Sequence, residues 1–175
     1  MKTKLSLSAL LITLTLTAQS NPATWYYNNN GGSGLQTYDA TASGQSSIAI
    51  GNQTLASGGS STAMGYFTKA IGGASTAMGL STTASGEYST AMGYGTEASG
   101  NFSTAMGDTT TASGNYSTTM GEKTTASGYA STAMGYDTEA SGNYSTTMGG
   151  YTIASADFST AMGASTTASD YNSFV

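Results

Sequence analysis

"STAMGYGTEASGNF" (residues 89–102) returns as "STAMGDTTTASGNY" at 103–116 and as "STAMGYDTEASGNY" at 131–144. The period is fourteen residues, and from Ala42 onward the register is strict. Gly recurs at 51, 65, 79, 93, 107, 121, 135, 149 and 163, preceded by Met from Met64 to Met162 and by Ile50 in the first copy. Ala recurs from Ala42, Ala56 and Ala70 to Ala168, and Thr from Thr54, Thr68 and Thr82 to Thr166. A fixed period of this length marks a stacked architecture in which each repeat packs mainly on its neighbours.

Fourteen is also two heptads, but a coiled coil needs apolar residues at two positions in every seven. Here one large apolar residue recurs per fourteen, and two recurring glycines would each cost a helix interior about 1 kcal/mol. A disordered Ser/Thr/Gly tract has no reason to hold Met in register. The pattern therefore predicts an all-β protein, a parallel β-roll or solenoid of fourteen-residue turns. Each turn has two short strands, "STAMG" and "TxASG", joined by variable pairs such as Tyr94–Gly95 and Asn101–Phe102. Glycine at each strand end lets the chain reverse.

Alternation along the strands assigns the faces. Ser89, Ala91 and Gly93 share one face, and Thr90 and Met92 the other. Thr96, Ala98 and Gly100 share one face, and Glu97 and Ser99 the other. The position of Glu97 holds Leu55, Lys69, Thr83, Glu139 and Ile153 in other copies, the tolerance of a solvent site. The interior is then a thin core of Ala, Gly, Ser and Thr, and the large residues form an outward stripe. Ile50, Met64, Met78, Met92, Met106, Met120, Met134, Met148 and Met162 are the candidate site residues, read as an interface between subunits. The opposite assignment would make Met the core of a single chain.

The ends and the composition bound the remaining possibilities. "MKTK" followed by "LSLSALLITLTLTA" reads as an export signal over residues 1–20, cut after Ala18 or Ser20. Residues 21–41 fall outside the repeat and form a lead-in whose Trp25, Tyr26 and Tyr27 could cover the open end of the stack. The repeats occupy 42–175, and the "SFV" ending suggests a longer protein. There is no Cys and no His, which removes a disulfide scaffold, a thiolate metal site and an imidazole base. The nine acids are scattered, so no enzyme activity, cofactor or metal is expected. The acidic balance, a net charge of −5, argues against nucleic acid. No second apolar stretch is long enough for a helical membrane span.

The motif "STAMGxxTxASGxxS" resembles the head repeat of the trimeric autotransporter adhesins, the YadA-like head, whose pattern is close to "SVAIGxxSxAxGxxS". Ala91, Gly93, Ala98 and Gly100 match it directly. Thr90 stands where the family has Val, Met92 where it has Ile, and Thr96 where it has Ser. The first copy, "SIAIG" at 47–51, is nearest. The resemblance implies a left-handed parallel β-roll, a homotrimer with the larger residues facing the common axis, and attachment at a bacterial surface to matrix proteins, cells, glycans or other surfaces. The chain would be exported to the cell surface or outer membrane, with its anchor elsewhere, or secreted. Two other readings stay open: an ice-binding solenoid using an outward Thr ladder (Thr62, Thr76, Thr90, Thr104, Thr118, Thr132, Thr146 and Thr160), and a passive spacer. Tyr88, Phe102, Tyr116, Tyr144 and Phe158 share one turn position and are expected to stack as a ladder along the turn edge.

Overall fold

The computed structural model describes residues 40–175. The export signal expected at 1–20 and nearly all of the lead-in, including Trp25, Tyr26 and Tyr27, lie outside the described residues. One repeat shows how the sequence sets the coil. Ser89 is buried, Thr90–Tyr94 runs as a five-residue strand, and the chain turns at Tyr94–Gly95. Thr96 is buried in its turn, Glu97–Ala98 forms a two-residue strand, and a second turn at Asn101–Phe102 leads into the next copy.

Repeating this unit builds two parallel sheets. Among the described residues, a 9-stranded sheet holds the long strands from Ile48–Asn52 to Thr160–Ala164. A 10-stranded sheet holds the short ones from Thr41–Ala42 to Thr167–Ala168. Every residue pairs with its own counterpart one repeat on: Met92 with Met106, Gly93 with Gly107 and Ala98 with Ala112. The expected β-roll of about nine turns is therefore what the chain forms. The second strand is shorter than "TxASG" suggests. The amides of Ser99 and Gly100 both converge on the Ala112 carbonyl, at 3.0 and 3.2 Å, so the chain is already turning.

The interior is made of small side chains, as the alternation predicts. Ala91, Ala98 and nearly all their counterparts are fully buried, with Ser89 and Thr96 beside them. Some of the serine hydroxyls find local partners, as Ser89 Oγ donates to Gly86 O at 2.7 Å and Ser131 Oγ to Gly128 O at 2.8 Å, whereas those of Ser61, Ser75, Ser103, Ser117 and Ser145 are buried without one. Nearly all the threonines of the column also lack one. Oγ1 of Thr96, Thr110, Thr124 and their counterparts is buried with no hydrogen-bond partner. The apolar column also breaks where Thr119 and Thr147 replace the strand alanine, dividing the buried alanines into three clusters.

One face assignment needs correction. Gly93 is exposed and does not join Ser89 and Ala91 inside. Its φ of +124° takes the strand out of simple alternation. A Cβ at Gly93, or at Gly107 in the next turn, would run into the backbone carbonyl of the glycine above it. Gly100 meets the same obstacle from Gly114 without a positive φ. Both recurring glycines are thus imposed by the closeness of successive turns. Where Ala156 replaces the second glycine, Ser155 N still donates to Ala168 O, but the companion bond made by Gly142 to Ala154 O has no equivalent.

Turn reversal also differs from expectation. The left-handed residues of the turns are mostly not glycine: Tyr88, Phe102, Tyr116 and Tyr144 have φ between 56° and 61°. Such a conformation costs an ordinary L-residue about 1–2 kcal/mol. Each of these amides donates to a carbonyl of the preceding turn, Phe102 N to Glu87 O and Tyr116 N to Asn101 O, both at 2.8 Å. A buried or ordered bond of this kind offsets the strain by about 0.5–1.5 kcal/mol.

Two stability results follow. Gly107→Ala should destabilise the fold by at least about 3 kcal/mol. Gly73→Ala, where an added Cβ meets nothing within 4 Å, should be neutral or stabilising by about 0.4–1 kcal/mol. Denaturant unfolding at matched protein concentration compares them, and equal losses would refute the carbonyl clash. Thr96→Val keeps the shape and removes an unpartnered hydroxyl, so its melting midpoint should rise, by about 1 kcal/mol in stability. A fall in midpoint would mean the hydroxyl is bonded in solution.

Candidate binding surface

Two surfaces remain once the interior is filled. The first is the outer face of the long-strand sheet. Ile50, Met64, Met78, Met92, Met106, Met120, Met134, Met148 and Met162 fall in one continuous column, each paired in register with the next. All are half-buried or exposed, with Met64, Met120, Met148 and Met162 at 36–41%. The side chains point away from the Ala/Ser/Thr interior, so the reverse assignment, with Met as the core of one chain, does not hold. Beside them runs a second outward column, from Ile48 and Thr62 through Thr90 to Thr160, all partly exposed. The two columns are therefore a strip of thioethers, hydroxyls and methyls with no charged residue in them, bordered by exposed Asp108 and Glu122 where two of the strands end.

The second surface is the turn edge at Asn101–Phe102. Tyr88, Phe102 and Tyr116 stack face to face with centroids 4.9 and 5.0 Å apart and planes within 7°. Tyr144 and Phe158 do the same at 4.9 Å. The expected ladder is present, and it is longer than the sequence position implied. Where Ala130 breaks it, Tyr129 enters from one residue earlier, making edge contacts with Tyr116 and Tyr144 at 5.4 and 5.5 Å. Tyr171 extends it beyond Phe158 in the same way, at 5.6 Å. The signal was present in the sequence: an aromatic occupies one or other position of the variable pair.

A second ladder, of amides, runs alongside and was not anticipated. Asn101 Oδ1 accepts from Glu87 N, Asn115 Oδ1 from Asn101 N, Asn143 Oδ1 from Tyr129 N and Asp157 Oδ1 from Asn143 N, all at 2.8–3.0 Å. Each of these four side chains thus satisfies a main-chain donor of the previous turn.

The opposite turn edge is more polar. Lys123 Nζ donates to Tyr136 Oη at 3.4 Å, lies 5.3 Å from that ring's centroid, and sits 3.4 Å from Glu122. The Tyr136 contact, with Glu122 as the lesser influence, raises the lysine pKa above its usual value. Among the described residues, no group of three or more acids, cysteines or histidines could hold a metal ion, and no helix is long and apolar enough to cross a membrane.

Comparison with known families agrees with this geometry. A model described as the YadA head domain repeat, in two-copy units, matches residues 42–68, 70–96, 98–121, 126–152 and 154–174. No curated protein matches the chain. The five matches follow one another through well over half of the sequence and along nearly the whole described stack. The chain belongs to the YadA head domain repeat family.

Proposed function

We propose that this chain is the head of a bacterial surface adhesin: an exported homotrimer that attaches to other surfaces through many equivalent turns. The observation that carries the reading is the uncharged Met column on the outside of a coil whose own interior is only alanine, serine and threonine. A chain so poor in large buried side chains gains little from its own core. The methionines keep roughly a third of their surface exposed, so covering each adds about 0.5–1 kcal/mol. Summed along the column and around three chains, this competes with the 4–15 kcal/mol that association costs in lost freedom. Packing three columns on one axis places the methionines at the centre of the assembly and leaves the turn edges, with their aromatic rings, outside.

Attachment then falls to the turn pairs. Each presents a small patch, such as Tyr94–Gly95 or Asn101–Phe102, repeated turn after turn and three times around the axis. Weak patches in such numbers raise avidity by about 10²–10⁴ over one contact. Nothing in this scheme requires a catalytic group. The Thr column could also order water, as an ice-binding face would, but the methionines share that face and favour its burial.

Sedimentation and unfolding of Met92→Asp/Met106→Asp test the assembly. The double variant should dissociate the trimer and melt at lower temperature, because the carboxylates would have to lose their water at the axis. Glu97→Lys, on the solvent side, should stay within about 0.5 kcal/mol of the parent. A double variant that remains trimeric and equally stable would remove Met from the interface. A monomeric parent with thermal hysteresis would replace the adhesin reading with ice binding.

Deletion of 103–116 tests the distributed contact. It joins Phe102 to Ser117 in register, so the stack should survive and attachment of beads carrying it should weaken only modestly. Removal of seven residues should break the stack, since it sets long-strand residues over short-strand ones. Complete loss of attachment after the fourteen-residue deletion would establish a single local site.

A further inference from the structure

The aromatic ladder stops at Tyr88. Toward the start of the stack, the equivalent turn positions hold Ala74, Ser60 and Ser46. Within the ladder the rings either face one another at 4.9–5.0 Å or meet edge to face at 5.4–5.6 Å, too close in both cases to admit a ligand between them. Tyr88 is different. Its inner face lies against Phe102, and its other face looks over a residue with no more than a methyl group. That open face forms a wall of a depression of about 310 Å³ lined by Gly59, Ser60, Gly73, Ala74, Glu87 and Tyr88. The volume is at the low end of small-molecule sites, about 300–1,000 Å³.

The polar groups of this depression are also set apart. Further along the stack, the amides of Glu87, Asn101, Tyr129 and Asn143 at this turn position are each covered by an Asn or Asp oxygen from the next turn, and those of Asn115 and Asp157, where Tyr129 and Tyr171 follow, are left uncovered singly and not in succession. For Gly59 the next residue in the column is Gly73, which has no side chain to offer. For Gly73 it is Glu87, whose carboxylate stands one methylene further out than that of Asp. Among the described residues neither glycine amide has a hydrogen-bond acceptor. One turn edge therefore brings together an open aromatic face, two main-chain N–H donors one turn apart, and an exposed carboxylate.

We propose that this depression is a glycan subsite that takes a single pyranose ring. The ring's C–H face lies on Tyr88, a hydroxyl donates to the Glu87 carboxylate, and a hydroxyl or acyl oxygen accepts from Gly59 or Gly73. A guanidinium or ammonium group would use the ring and the carboxylate but would be opposed by the two N–H donors. An aromatic side chain would use the ring alone. Only a ring with a C–H face, donors and acceptors uses all three. The proposal goes beyond attachment by equivalent turns, since it singles out one turn edge that its neighbours do not reproduce.

Saturation-transfer NMR on the whole chain tests this, with the methyl glycosides of glucose, galactose, mannose and N-acetylglucosamine as probes and arginine methyl ester as the cationic comparison. At least one glycoside should receive saturation on its ring protons. Ala74→Tyr should reduce that signal at least about tenfold, because the new ring continues the stack over Tyr88; the left-handed φ of 53° at Ala74 is close to the 57° that Tyr88 already adopts. Tyr88→Ala should do the same, Glu87→Gln should weaken it, and Tyr151→Ala, on the opposite edge, should leave it unchanged. The proposal is overturned if no glycoside gains signal, if the signal survives Ala74→Tyr in a folded protein, or if only the arginine ester responds. Should Ala74→Tyr not fold, Tyr88→Ala decides in its place. Because the measurement needs no surface attachment, its failure leaves the adhesin reading standing, and failure of the attachment assays leaves the subsite standing.

Discussion

The stacking of each residue on its own counterpart one turn away is the constraint from which the rest follows. Parallel strands lie about 4.8 Å apart, and at that spacing a Cβ has no room wherever the backbone of the next turn passes close beneath it. The two recurring glycines are the places where that happens, as Gly107 and Gly100 show. The same spacing sets the face-to-face distance of the aromatic rings and lets an Asn side chain reach exactly one amide away, no further. Repetition in the sequence is therefore a mechanical requirement of the coil: a residue that fits one turn must also fit against its copy.

The thinness of the coil has a second effect. Two strands joined by two-residue turns enclose room only for Ala, Ser and Thr, and the buried threonine hydroxyls are left without partners. Such an interior stabilises little, whereas the outside carries methionine, threonine and aromatic residues in columns along the stack. The usual arrangement of large residues within and small ones without is inverted. That inversion is the feature on which the proposed assembly with other chains rests.

Much of this was legible from residues 89–102 set beside the other copies of the repeat. Tolerance of Lys69, Glu97 and Leu55 at one position fixed the solvent side, and alternation then put Ala91 inside and Met92 outside. Alternation failed at Gly93, where a positive φ breaks the period of two that the rule assumes. It also gave no account of the turns, because Phe102 and Tyr116 are not residues whose type announces a left-handed conformation; only their main-chain bonds to the previous turn stabilise it. Tyr129 and Tyr171 escaped a fixed-column search because a ring can reach the ladder from either residue of the pair. The depression beside Tyr88 arises from what Gly59, Gly73 and Ala74 lack, and missing side chains become a surface feature only when neighbouring turns are placed over one another.

The in-register pairing also determines how such a coil yields to tension. Each turn touches only the turns before and after it, so a pull along the stack loads the bonds of the outermost turn first and leaves the others nearly unstrained. Failure of that turn releases fourteen residues, about 40–45 Å of slack beyond the height the turn occupied, and transfers the load to the next. The coil is in this sense a reel that lengthens in equal steps. A rod of this construction, tethered at one end and held at the other, would absorb a sudden load by extension, turn by turn.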